Sequence, residues 1–121
     1  MRASFRGLTA RKISFALIAG ALFLSGCDSA EERLADHISK AEELLKEGGL
    51  EKAALEFRNA LQIDQNSVAG HLGMASIYER QKNFPAMMAH LNKVIEIDPK
   101  NVTALVKQGQ LMMLSGRLDG A

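Results

Sequence analysis

Two apolar-periodic segments separated by three polar residues occupy Val68 to Pro99, and most of the chain aligns to them. In the first segment Val68, Leu72, Ala75 and Tyr78 recur at steps of three and four, with Met74 beside them. In the second, Phe84, Met87, Met88, Leu91, Val94 and Ile95 do the same. That spacing puts each set on one face of a helix and does not fit the alternation of a strand. The polar break Gln81-Lys82-Asn83 is short enough to force an antiparallel return. Pro85 falls in the first turn of the second helix, where its missing N–H costs least, and Asp98-Pro99 ends that helix.

The pattern returns after 34 residues. Shifted back by that period, Phe57, Ala60, Leu61 and Ile63-Asp64 fall where Leu91, Val94, Ile95 and Ile97-Asp98 stand. Shifted forward, Val102 and Met112 fall where Val68 and Tyr78 stand, and His37 and His71 are also one period apart. A helix-turn-helix unit of this length resembles the tetratricopeptide repeat (TPR). The resemblance rests on the aromatic Tyr78, on the small–aromatic–small series Ala53, Phe57 and Ala60, on Pro99, and on Gly109, Gly116 and Ala121 in a third copy. The tryptophan usual early in this repeat is replaced by His37, His71 and Leu105. The likeness covers Leu34 to Ala121 and implies an all-α solenoid of helix-turn-helix units. Two repeats are full, about 34–67 and 68–101, and a third, 102–121, is incomplete.

Composition agrees with one small helical domain. The chain has 121 residues, of which 24% are charged and 5% aromatic, so nothing calls for a second core. A net charge of +1 gives no argument for nucleic acid as a partner.

The start of the chain reads differently. Met1 to Lys12 carries Arg2, Arg6, Arg11 and Lys12 with no acid, and Ile13 to Phe23 is an uninterrupted run of apolar or small residues. A basic segment followed by a short apolar one describes a secretory signal, and the run is shorter than the ~20 residues a membrane-spanning helix needs. Leu24-Ser25-Gly26-Cys27 follows directly and resembles the lipobox of bacterial lipoproteins. The resemblance implies a signal peptide over 1–26, cleavage before Cys27, a diacylglyceryl thioether on its sulfur and an acyl group such as palmitate on the new N-terminus. One acyl chain holds a membrane only marginally, whereas two or more hold it stably. The alternatives are an ordinary signal peptide with a chance cysteine, or an uncleaved anchor. As the only cysteine, Cys27 excludes an intrachain disulfide and a cysteine-based zinc site. Loss of the basic leader leaves a mature net charge of about −3, so the acyl chains are the expected membrane attachment.

Residues 27–33 read as the lipidated cysteine and a polar tether, whose Glu31 and Glu32 suit the first turn of a helix. An Asp directly after the lipidated cysteine looks like the inner-membrane retention signal of enterobacterial lipoproteins. Asp28 thus favours the inner over the outer membrane, facing the periplasm; the plainer alternative is a solvated linker residue.

Beyond the tether, the periodicity predicts a helix over Glu31–Glu47 stopped by Gly48-Gly49, and a partner over Leu50–Ile63. Asn66 or Ser67 caps the next helix, and Asn101 caps one running from Val102 to Leu114. Ser115-Gly116 is expected to break that helix, with Arg117 to Ala121 starting a sixth. Solenoids close with a polar terminal helix, so Leu111 to Leu114 should be incompletely covered. The chain is therefore expected to be the N-terminal piece of a longer repeat protein. The alternative is a short protein that self-associates through its uncapped end.

No catalytic signature is present: no Gly-rich phosphate loop, no Gly-x-Ser-x-Gly and no His-Glu-x-x-His. His37 and His71 hold the same repeat position, about one repeat apart in space, too far to share a metal ion, and His90 has no His or Cys near it in sequence. No enzyme activity, metal site or cofactor is expected, apart from the lipid on Cys27. The Met pairs at 87–88 and 112–113 read as core filler, or else as adaptable contacts for a partner. The charged runs Glu42-Glu43, Lys46-Glu47 and Glu51-Lys52 read as solvated faces with i,i+4 pairs.

In the TPR family the first helix of each repeat lines a concave groove. Carried over by repeat position, the groove residues are Ile38, Glu42 and Lys46, then Leu72, Ser76, Glu79 and Arg80, then Val106, Gln110 and Met113. Ala35, Leu45, Ala69, Thr103 and Leu114 complete the set. An apolar floor with a few charges suits an extended peptide or a partner helix. Ile38 and Glu42 stand where chaperone-tail binders of this family carry Lys and Asn, which argues against that ligand. Lipobox, acidic tether and hairpins together resemble the TPR lipoproteins of PEP-CTERM/exosortase and exopolysaccharide systems, and imply a lipid-anchored protein–protein scaffold of the envelope. Outer-membrane pilotin-like TPR lipoproteins for pilus or secretin assembly share the plan. A third alternative is the interaction module of an enzyme whose catalytic domain lies beyond Ala121.

Overall fold

The turn chemistry at Gly48-Gly49 sets the shape of the first hairpin. A computed structural model describes residues 29–119, and there helix α1 (Ala30–Lys46) ends with Gly48 in the left-handed region at φ 84°. Gly49 N–H donates to Leu44 C=O and Gly48 N–H to Leu45 C=O, the paired closing bonds of a Schellman motif. The chain turns back at once into α2 (Leu50–Ile63). The start of α1 is fixed by a capping box, in which the Ser29 hydroxyl accepts from Glu32 N–H and the Glu32 carboxylate accepts from Ser29 N–H. Ala30 to Arg33 are thus helical, so α1 begins inside the segment read as tether.

The second hairpin repeats these devices 34 residues later. Helix α3 (Val68–Arg80) ends on Lys82 at φ 56°, with Asn83 N–H donating to Tyr78 C=O and Lys82 N–H to Glu79 C=O. Helix α4 (Phe84–Ile97) follows, with Pro85 in its first turn. The connections between hairpins also match. Ser67 and Asn101 cap α3 and α5 by accepting from Gly70 and Ala104 N–H, while Asp64 and Asp98 accept from Asn66 and Lys100 N–H. Helix α5 runs from Val102 to Asp119. Among the described residues the chain is all-helical, with five helices and no strand.

The buried positions recur with the same period. Ala41 and Ala75, Ala53 and Met87, Phe57 and Leu91, and Ala60 and Val94 are all buried, and each pair occupies equivalent places in the two hairpins. Two apolar clusters result. The first joins Ala41, Ala53, Ala54 and Phe57 to Met74 and Ile77 of the next hairpin, and the second joins Ala75, Met87, Leu91 and Val94 to Ala104 and Leu111 of α5. Tyr78 packs against both clusters. Small residues let the paired helices approach while Phe57 fills the space between them.

Three expectations are corrected. Helix α5 passes through Ser115-Gly116 without a break, and the Ser115 hydroxyl donates to Met112 C=O of the preceding turn. A single Gly costs only about 1 kcal/mol in a helix, and no apolar partner helix packs there, among the described residues, to compensate for lost helical bonds. Met87 is buried as core, but Met112 and Met113 are 56% and 66% exposed, because α4 covers only the Ala104–Leu111 face of α5. The charged runs Glu42-Glu43, Lys46-Glu47 and Glu51-Lys52 are exposed, and the described ion pairs lie elsewhere.

Candidate interaction surface

Helices α1 and α3, the first members of the two hairpins, and α5 are tied together by two polar contacts that involve predicted groove residues. Arg80, in the last turn of α3, donates from Nη1 to Leu45 C=O at 2.8 Å, a second bond to a carbonyl at the C-terminus of α1 that also accepts from Gly48 N–H. Lys107 of α5 forms an ion pair with Glu79 of α3. These links connect α1 to α3 and α3 to α5.

The other predicted residues divide by exposure. Ile38 and Leu72 are half-buried and pack against the first and second apolar clusters. The Ser76 hydroxyl donates to Leu72 C=O of its own helix. Glu42, Lys46, Val106, Gln110 and Met113 are exposed. Gln110 lines a small cleft with Glu79 and Lys107, walled by Phe84, Met87, Leu111 and Leu114. An adjoining apolar cleft of about 220 Å³ lies between Phe84, Pro85 and Met88 of α4 and Leu111, Leu114 and Ser115 of α5. Cys27 and the signal segment lie outside the described residues. No helix among the described residues is long and apolar enough to cross a membrane.

A second polar feature joins the two helices of each hairpin. In the first hairpin His37 Nδ1 lies 2.7 Å from Glu56 Oε2, and Lys40 Nζ lies 2.7 Å from Glu56 Oε1. Glu56 is only 8% exposed, and its hydrogen bonds from Lys40 and then His37 hold its carboxyl below the usual carboxylate range. In the second hairpin the same two positions carry His71 and His90, whose Nδ1 atoms lie 2.9 Å apart. The far nitrogen of His71, Nε2, lies 3.0 Å from Gln65 C=O. Tyr78 stacks on His90 at a ring separation of 5.6 Å. Burial, and then the charge His71 can carry, push His90 below its ordinary value.

Periodicity along single helices misses these contacts, since Glu56 and His90 meet partners on another helix. The signal lay in a spacing: Glu56 follows His37 by 19 residues, as His90 follows His71. Among the described residues, no group of three or more His, Cys, Asp or Glu side chains is placed to hold a metal ion. No protein-family model matches the chain.

Proposed function

We propose that this chain is a lipid-anchored tetratricopeptide-repeat scaffold that presents the α1–α3–α5 side to a protein or peptide partner at the bacterial envelope. The observation that carries the reading is the recurrence of one hairpin at a 34-residue offset, in its turns, caps and buried positions alike. Stacked hairpins of this kind have a stable core that needs no ligand, and they leave one row of first helices as an extended surface. Exposed Glu42, Lys46, Gln110 and Met113 beside the half-buried Ile38 and Leu72 suit a segment that lies along the row with apolar side chains down.

The anchor is the lipid on Cys27. The Leu-Ser-Gly-Cys run behind a basic and apolar leader supports it, and Asp28 supports the periplasmic face of the inner membrane. Expression of the full chain in a Gram-negative host with radiolabelled palmitate tests this half of the reading. The wild type should incorporate label and partition into detergent, and Cys27→Ser should do neither. Equal labelling of both would contradict it.

A further inference from the structure

The two inter-helix contacts at equivalent positions differ in their tolerance of protons. A carboxylate only accepts, so Glu56 can take a hydrogen bond from His37 Nδ1–H whether that ring is neutral or charged. His71 and His90 have no such freedom. Gln65 C=O can only accept, so His71 Nε2 carries a proton, and in the neutral ring Nδ1 is left with a lone pair. His90 Nδ1–H then donates to it across 2.9 Å. Once both rings are charged, two N–H groups face each other and the contact is repulsive.

We propose that the His71–His90 contact is an acid-sensitive latch. It holds α3 to α4 near neutral pH and releases them in mild acid, while the equivalent His37–Glu56 contact keeps the first hairpin closed. The latch lies close to the first turn of α3, where His71 also donates from Nε2 to the Gln65 carbonyl of the connection between hairpins, a bond that the charged ring retains.

Among the described residues, no carboxylate forms an ion pair with His71 or His90. From α3, His90 meets His71 and the Tyr78 ring. The acid of the adjacent turn, Asp64, accepts from Asn66 N–H, and on α2 Glu56 is held by His37 and Lys40 while Arg58 is an exposed cation. On α4, Lys93 and Glu96 pair with each other, and Lys107 of α5 pairs with Glu79. Burial and the charge on His71 both disfavour the charged form of His90, in keeping with the geometry. Its folded-state value lies below the unfolded one, so its contribution is present above the ordinary histidine range and is lost as pH falls through the folded value.

Amide hydrogen exchange on the full chain, corrected for the intrinsic pH dependence of exchange, tests the latch between about pH 7.5 and about pH 5. In the wild type, protection over Met87–Ile95 should fall several-fold more than protection over Ala53–Leu61. His90→Glu installs the pairing of the first hairpin and should abolish that difference. His71→Gln, which leaves only the buried His90 ring to charge, should narrow it and covers the case in which His90→Glu folds poorly. Equal loss of protection in both hairpins of the wild type, or a difference that is undiminished in the variants, would overturn the proposal.

Discussion

Gly73 of α3 and the Phe57 ring of α2 compete for the same space: a Cβ at position 73 would overlap ring atoms Cε1 and Cζ. One turn earlier, a Cβ on Gly70 would come within 2.8 Å of Leu61 Cδ2. The missing side chains are what let the second hairpin seat on the first, with Phe57 buried between them. Gly73→Ala gains about 1 kcal/mol in helix propensity but forces the buried ring to move, which costs about 1–3 kcal/mol or more. A net destabilisation is expected in urea melts, and it should shrink in a Phe57→Leu background. Stabilisation by Gly73→Ala would mean that the hairpins are not seated on each other through this contact.

Lys82 holds the left-handed position that Gly48 holds in the first hairpin. A non-glycine residue there carries about 1–2 kcal/mol of backbone strain, partly offset in a glycine variant by the greater freedom of the unfolded chain. Lys82→Gly should therefore stabilise the protein by about 0.5–1 kcal/mol, and Gly48→Lys should destabilise it by a similar amount. The pair of melting curves checks both signs.

The Glu56 carboxyl is held low by Lys40 and His37, so its stabilising effect is present above the ordinary carboxylate range and is lost as pH falls through the folded-state value. Glu56→Gln should be less stable than wild type near neutrality, and the two should converge in acid. Lys40 is largely exposed, so added salt should narrow the neutral-pH gap. A gap that stays constant from neutral pH into acid would show that packing, not charge, is what Glu56 supplies.

Much of the hairpin plan is legible in the sequence. Leu50–Ile63 is a helix with the Ala53, Phe57 and Ala60 face inward, Pro85 sits in a first turn, Asn101 is a cap, and of Asn66 and Ser67 it is Ser67 that caps α3, because each signal is local. Helix α3 was harder. It lies between the preceding hairpin and its own partner and buries two stripes, so Ile77, among the largest fully buried side chains, falls off the single stripe through Leu72, Ala75 and Tyr78. Glu56 reads as one more surface charge until its contacts to His37 and Lys40 are seen. The predicted rim charges Glu79 and Arg80 are both engaged between helices, a role that spacing alone does not reveal.

That double role shapes the test of the scaffold itself, since reversing Glu79 or Arg80 would disturb stacking as well as binding. Photo-crosslinking from exposed positions avoids the difficulty. A photoreactive residue placed at Glu42 or Gln110 samples the α1–α3–α5 side, and one at Lys52 or Leu55 samples exposed positions on α2. In cells expressing the full chain, Glu42 and Gln110 should yield a discrete adduct that is weakened by Cys27→Ser, and Lys52 and Leu55 should not. Adducts confined to Lys52 and Leu55, with none from Glu42 or Gln110, would contradict an interaction scaffold that works through its first-helix row.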